Sequence, residues 1–362
     1  MNFMTKLKIA QVAPLFESVP PKLYGGTERI VSYLTEALVG MGHDVTLFAS
    51  GDSITKARLK PIVNRALRLS RCVDPMAAQV VQLQEVIESA KEFDIIHFHT
   101  DYFHFPISQL LRLPTVTTLH GRLDLPELGP VYAKFLTMPV ISISDAQRLH
   151  LPKAYWAGTV YHGLPMGLYR MGKGKGDYAL FLGRISPEKR PDRAIEIARR
   201  ANMRLVIAAK VDAADRQYYE QQISPLLHQP HVEFIGEVSE DIKEHLLGNA
   251  KALLFPIDWP EPFGLVMIES LACGTPVVAY GKGSVPEIIT HRKTGYIVNS
   301  LDQAADALRH VETLSRDTCR QEFENRFSAH RMAGDYVKIY EKLLSEDPSP
   351  VSSLRTVKKQ MA

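Results

Sequence analysis

Short apolar runs alternate with stretches of helical spacing along nearly the whole chain. Leu7–Val12 has the character of a buried strand. After a long loop, Ile30, Val31, Leu34, Ala37, Leu38 and Met41 repeat at helical intervals across Thr27–Gly40, and Gly42 supplies a stop. Further strands are expected at His43–Ala49, Asp94–His99, Thr115–Leu119 and Val140–Ile143, with a helix at Met76–Lys91. Around Gly163–Asp177 the periodicity breaks in a basic stretch with five glycines, which reads as a connector. The alternation then restarts. Strands are expected at Tyr178–Leu182, Leu205–Ala209, Val232–Ile235, Ala252–Phe255 and Pro276–Ala279, with helices at Arg190–Arg200, Glu240–Asn249 and Gly264–Cys273.

Repeated βα units with apolar strands predict parallel sheets covered on both faces. The fold class is therefore α/β, with two Rossmann-like, doubly wound halves at residues 1–165 and 178–328 joined by residues 166–177. Two such halves predict a ligand cleft at the carboxyl ends of both sheets. A last helix at residues 329–345 is a candidate to cross back to the first half, and the Pro/Ser-rich residues 346–362 read as disordered.

Composition narrows the function classes. A length of 362 residues suits two domains, and 45% hydrophobic with 23% charged residues supports sizeable cores. A formal charge of +3 gives no global case for nucleic acid. The three cysteines, Cys72, Cys273 and Cys319, form neither a CxxC nor an even framework, which points to a reduced compartment and no zinc site. Met1–Ala10 lacks a signal-like apolar core, and no apolar run reaches about 18 residues. A cytoplasmic protein is expected, with peripheral membrane contact left open.

The richest chemistry lies in Glu261-Pro-Phe-Gly-Leu-Val-Met-Ile-Glu269, between two expected strands. A helix starting near Gly264 would aim the backbone N–H groups of Phe263, Gly264 and Leu265 at an anion, which its macrodipole favours. Carboxylates on either side could accept hydrogen bonds from sugar and ribose hydroxyls. On spacing alone, Glu261 reads equally as a helix-start charge and Glu269 as a solvated polar-face residue.

With Leu271–Ala279 (LACGTPVVA) and Gly283–Ile289 (GSVPEII) following, this segment resembles the family 4 glycosyltransferases of the GT-B fold. Pro21–Arg29 (PKLYGGTER), Leu119-His-Gly121 and Phe181–Arg190 (FLGRISPEKR) agree in order and position, so the resemblance covers about Lys6 to Leu343. It implies that Arg184 and Lys189 clamp the diphosphate of a nucleoside diphosphate sugar. It also implies that Glu269 binds the ribose, that Glu261 and the backbone after it hold the transferred sugar, and that His120 touches that sugar. Gly25 and Gly26 would approach the donor phosphates. Retention of anomeric configuration without a metal or other cofactor is a further implication.

Other readings are weaker. No GxGxxG follows the first strand, which argues against NAD or FAD. His97, His99, Asp101 and His104 raise a metal site, but an HxH at a strand end is itself a trait of the family, so none is assigned. Lys56–Arg71 holds six basic and no acidic residues. Its apolar positions Leu59, Ile62, Val63, Ala66 and Leu67 keep helical spacing around Pro61, as in a segment docking on anionic lipid or covering a core. A sugar-nucleotide epimerase and an inactive sugar-nucleotide-binding subunit are the rival functions. No residue selects between uridine and guanosine, or among glycolipid, polysaccharide and small-metabolite acceptors, and none bears on oligomeric state.

Overall fold

The computed structural model describes residues 6–22, 25–70 and 72–346. They form two compact units. Unit 1 runs through Ile143, takes in Arg148–Tyr161 and resumes at Ala329; unit 2 holds Ser144–Gln147 and His162–Ser328.

Unit 1 is built on seven strands: β1 (Lys8–Val12), β2 (Asp44–Ser50), β3 (Arg58–Val63), β4 (Ile95–Phe98), β5 (Thr115–Thr118), β6 (Pro139–Ser142) and β7 (Tyr155–Thr159). They lie in the order β3-β2-β1-β4-β5-β6-β7, every pair parallel. Helices α1 (Gly26–Gly40), α2 (Pro75–Glu88), α3 (Phe105–Leu111) and α4 (Leu128–Lys134) occur along the connections, and α5 (Asp145–Arg148) lies mostly in the short segment assigned to unit 2. β4 and β5 are buried along their whole length, as strands covered on both faces must be. Asp74 caps α2 by accepting from the N–H groups of Met76 and Ala77, and Pro75 fills the first helical position, where no N–H is needed.

The basic stretch departs from its expected helical pattern. Arg58–Val63 forms the edge strand β3, paired with β2 alone. Pro61 explains the choice: a helix interior would lose a hydrogen bond and meet its ring, whereas a sheet edge tolerates a missing N–H. Three of its six cations face carboxylates, Arg58 with Glu92 at 3.0 Å, Lys60 with Glu85 at 3.0 Å and Arg68 with Glu17 at 2.7 Å. Arg71 lies outside the described residues.

Unit 2 repeats the plan with β8 (Tyr178–Arg184), α6 (Pro191–Ala201), β9 (Arg204–Lys210), α7 (Arg216–Tyr218), β10 (Val232–Gly236) and α8 (Glu240–Asn249). It continues through β11 (Ala252–Phe255), α9 (Leu265–Ala272), β12 (Val277–Tyr280), α10 (Val285–Ile288), β13 (Gly295–Val298), α11 (Leu301–Arg309) and α12 (Arg316–Arg326). The strand order is β10-β9-β8-β11-β12-β13, again parallel. Strands β7 and β13 have no counterpart in the sequence reading. Both sit at sheet edges and carry half-buried positions, so they lack a continuous apolar signal.

The final helix, α13 (Ala329–Ser345), belongs to unit 1, where it packs on α1. The remaining tail, from Asp347 on, lies outside the described residues. Among those described, no helix is long and apolar enough to cross a membrane.

Residues 166–177, read as a connector, are tied down within unit 2. The N–H groups of Gly172, Gly174 and Gly176 donate to the carbonyls of Cys273, Gly248 and Asn249 at 2.9, 3.0 and 2.9 Å. Arg316 donates to the carbonyls of Gly172, Ala250 and Gly248, and Arg320 to those of Tyr169, Ala272 and Met166. Gly172 is there because of space: a Cβ would lie 2.0 Å from the Gly248 carbonyl oxygen, a backbone atom with nowhere to go. Gly172→Ala should therefore cost about 2–3 kcal/mol, the range for overpacking a closed site. An unchanged urea midpoint would show that the backbone yields there.

Candidate functional site

The strand order fixes where chemistry can collect. β8 lies between β9 and β11, and β1 between β2 and β4, so each sheet has a switch point where successive connections leave to opposite sides. In unit 2 the residues after β8 include Lys189, and those after β11 include Glu261 and Gly264. Because β8 and β11 are parallel neighbours, both loops emerge at the same edge.

There the two loops are joined. The Asp258 N–H donates to the Glu188 carbonyl at 2.9 Å, and the Asp258 carboxylate takes Arg190 at 3.1 Å and Arg193 at 2.8 Å. The Lys189 ammonium pairs with the Glu261 carboxylate, which also accepts the Trp259 indole N–H at 3.0 Å. Lys189 Nζ lies 5.4 Å from the Phe255 ring centre and 5.1 Å from that of Trp259, so aromatic faces as well as Glu261 stabilise its charge. An ammonium has three donors and one is committed here, leaving donors for an anion.

α9 begins where the sequence pattern places it. Gly264 is its N-cap, in the left-handed region at φ 78°, which favours glycine. A Cβ there would also meet Met267 Cε at 2.8 Å and the Phe255 ring at 3.2 Å. The Phe263 ring is buried, 4.7 Å from the His162 ring, so Phe263 can offer a ligand only its backbone. Leu265, the first residue of α9, is half-buried.

Glu269 is buried, contrary to a solvated polar face. Lys243 Nζ reaches its Oε1 at 2.8 Å, and the Tyr169 hydroxyl, which donates to Glu240 Oε2 at 2.6 Å, lies 3.3 Å from the same oxygen. Lys243 also pairs with Glu240 at 2.9 Å. A carboxylate buried to this degree needs a cation, and Lys243 on α8 supplies it. Arg184 differs from the expected open clamp, because it lies among three carboxylates: Glu188 at 2.5 Å, Asp215 at 3.4 Å and Asp212 at 3.8 Å. Lys210 offsets Asp212 at 2.8 Å. Burial raises the Asp215 carboxyl above its ordinary range even with Arg184 beside it.

Sequence reasoning did not identify Tyr169, Asp212, Asp215, Lys243 or Trp259. Only Trp259, two residues before Glu261, carried a local signal; the others come from distant elements.

Gly25, Gly26 and His120 belong to unit 1. Gly25 is the N-cap of α1 and Gly26 its first residue. His120 follows β5, its Nε2 lying 2.9 Å from His99 Nδ1. Two other candidate metal ligands, His97 and His104, are spent on neighbours. His97 contacts Thr118 and Tyr340, both at 2.7 Å, and His104 contacts Thr117 at 2.7 Å and Ser108 at 2.8 Å. Among the described residues, no group of three or more His, Cys, Asp or Glu is arranged to hold a metal ion.

Comparison with known proteins adds two family matches. Residues 24–157 match the model described as Glycosyltransferase Family 4, and residues 172–330 match Glycosyl transferases group 1. An uncharacterized glycosyltransferase of Methanocaldococcus jannaschii is 26% identical over 80% of this chain and 84% of its own. Among solved structures, AviGT4, a glycosyltransferase involved in avilamycin A biosynthesis, superposes with a TM-score of 0.72 at 24% identity, over 94% of this chain and 98% of its own. HepE of Anabaena, solved in complex with UDP and glucose, gives a TM-score of 0.71 at 18% identity, over 93% and 100%.

His97, His104 and the half-buried His120 carry a pH dependence. Burial pushes His104 and His120 down to about 3, and His97 well below the ordinary range, with His120 adding to that push. Unfolded rings take up a proton below about pH 6.5, so the unfolded state binds more protons there and stability falls as pH falls through that value. From pH 7.5 to 5.5 the three rings should together remove roughly 3–4 kcal/mol. Equal urea midpoints at the two pH values would show that these rings are not held neutral.

Proposed function

The chain is a glycosyltransferase of the GT-B fold, and we propose that it moves a hexose from a UDP- or GDP-linked sugar to an acceptor hydroxyl with retention of configuration, in the manner of family 4. The observation that carries this reading is the junction of Lys189 with Glu261 at the start of α9. It gathers a basic side chain, a helix N-terminus and a carboxylate that this reading assigns to the sugar at one edge of one sheet. HepE, solved with UDP and glucose, supports a uridine nucleotide as the first donor to test.

In this reading the bond from the anomeric carbon to the diphosphate oxygen breaks and negative charge grows on the diphosphate. Lys189, Arg184 and the N-terminal end of α9 stabilise that charge without a metal ion. One such preorganised donor is worth about 3 kcal/mol of barrier. The acceptor oxygen bonds to the anomeric carbon on the face the diphosphate leaves, and the acceptor proton passes to a diphosphate oxygen. Glu269 Oε1 holds Lys243, and the carboxylate's second oxygen is assigned to the ribose diol. Gly25, Gly26 and His120 keep the phosphate and sugar contacts that the family resemblance implies. A cytoplasmic location suits a nucleotide-sugar donor. Membrane contact through residues 56–71 has less support, since Arg58, Lys60 and Arg68 already face carboxylates.

UDP or GDP should raise the thermal midpoint of the protein, and no shift with either would remove the donor assignment. Lys189→Met, which keeps the stem against the rings, should lower kcat about 100-fold or more, and it should also lower the thermal midpoint because Glu261 loses its cation. Near-normal turnover at saturating donor would show that Lys189 is not a diphosphate clamp. Glu269→Gln should weaken nucleoside diphosphate binding about tenfold by calorimetry, since hydrogen bonds to a charged acceptor are worth about 1.5–3 kcal/mol. Unchanged affinity would place the ribose elsewhere.

A further inference from the structure

The described residues of unit 1 contain a buried polar chain that the diphosphate site does not use. It runs from His120, beyond β5, through His99 and Gln11 to Tyr340 on α13. Gln11, His97, Thr118, Tyr336 and Tyr340 have no exposed surface, and His99 has 3%. No bulk water reaches such groups, so each donor must find its acceptor within the chain.

The donors can be followed one by one. His99 Nε2 lies 2.7 Å from Gln11 Oε1, an atom with lone pairs only, so His99 donates through Nε2. A neutral imidazole carries one N–H, so His99 Nδ1 is an acceptor, and His120 Nε2, 2.9 Å away, is the donor to it. The proton of His120 therefore sits on Nε2, and Nδ1 is its lone-pair atom.

The far end of Gln11 is also satisfied with the amide in this sense. Its Nε2 faces two acceptors at 3.4 Å, His97 Nδ1 and the Tyr340 hydroxyl oxygen. The Tyr340 hydroxyl lies 2.7 Å from His97 Nδ1 and donates to it. His97 then donates through Nε2 to Thr118 Oγ1 at 2.7 Å, and Thr118 donates to the Tyr336 hydroxyl at 3.0 Å. Reversing the Gln11 amide would turn an N–H toward His99 Nε2. That would move the ring proton to Nδ1 on both His99 and His120.

We propose that Gln11 and His99 are positioning residues that set the tautomer of His120, with the hydroxyls of α13 holding the Gln11 amide in register. Register makes the arrangement possible, since Gln11 on β1 is the direct partner of His97 on β4. The part of the proposal that concerns turnover rests on the reading of His120 as a contact to the transferred sugar. The tautomer itself does not.

The primary test is the two-bond 1H–15N spectrum of the full chain with 15N-labelled histidine, assigned through His97, His99 and His120 variants. His99 and His120 should both show protonated Nε2. An Nδ1-protonated His120 in the wild type would overturn the proposal. Gln11→Met, which removes the amide at similar length, should convert His120 to a mixture of tautomers. It should also lower kcat roughly 10- to 100-fold, read as UDP or GDP release from UDP-glucose or GDP-mannose, with donor KM within about twofold. An unaltered His120 pattern in that variant would also overturn it.

If Gln11→Met does not fold, His99→Asn and His99→Leu replace it. Asn offers an oxygen near the position of Nδ1 and should keep kcat within a few-fold, whereas Leu should lose it. Equal loss in both would count against positioning. If His120→Ala leaves kcat intact while the spectra agree, the tautomer assignment stands and the sugar-contact reading of His120 fails.

Discussion

Two glutamates bracket the start of α9 in a place that water hardly reaches, and a carboxylate there is tolerable only beside a cation. Glu261 has Lys189 and Glu269 has Lys243. Each lysine comes from a different element, the loop after β8 and the helix α8, so electrostatic neutralisation also draws three segments of unit 2 together. Such pairs add little net stability once desolvation is counted. Their value lies in geometry: they hold charged side chains in fixed places before any ligand arrives, as the proposed stabilisation of a leaving diphosphate would require.

The sheets explain why these segments can meet. In a parallel sheet every strand ends at the same edge, and a reversal of strand order leaves a crevice between neighbouring loops. β8 and β11 are those neighbours in unit 2. The loops are then cross-linked by Asp258 with Arg190 and Arg193, so Lys189 and Glu261 do not depend on each other alone. Arg184 is less committed, because its surrounding carboxylates compete with any anion for its guanidinium.

Unit 1 uses its strand ends differently. It places imidazoles and hydroxyls in a line, and the closing residues of that line come from α13. The last helix thus has a chemical reason to lie with unit 1: Tyr340 and Tyr336 complete the hydrogen bonding of the buried His97 on β4 and Thr118 on β5. His97 and His120 of this line, with His104 outside it, are expected to make unit 1 sensitive to acid, because rings held neutral in the fold take up protons when it opens.

The strand and helix pattern was legible in the sequence wherever an element is buried on a regular face. Ala252–Phe255, Glu240–Asn249 and Ala329–Ser345 have the bounds that their periodicity indicates. So was the list Arg184, Lys189, Glu261, Gly264 and Glu269, because motif spacing along one loop or one helix is a local property. The edge strands β3, β7 and β13 were not, since half-exposed strands lack a continuous apolar run and β3 carries a misleading helical spacing. Nor were the partners. That Glu269 is buried against Lys243, that Arg184 lies among Glu188, Asp212 and Asp215, and that Gln11 links His99 to Tyr340 are facts about residues 26 to 329 positions apart or set by a loop's path. Sequence records the local preferences of a segment. Which charges must share a dry environment, and which donor faces which acceptor, is decided only when distant segments pack.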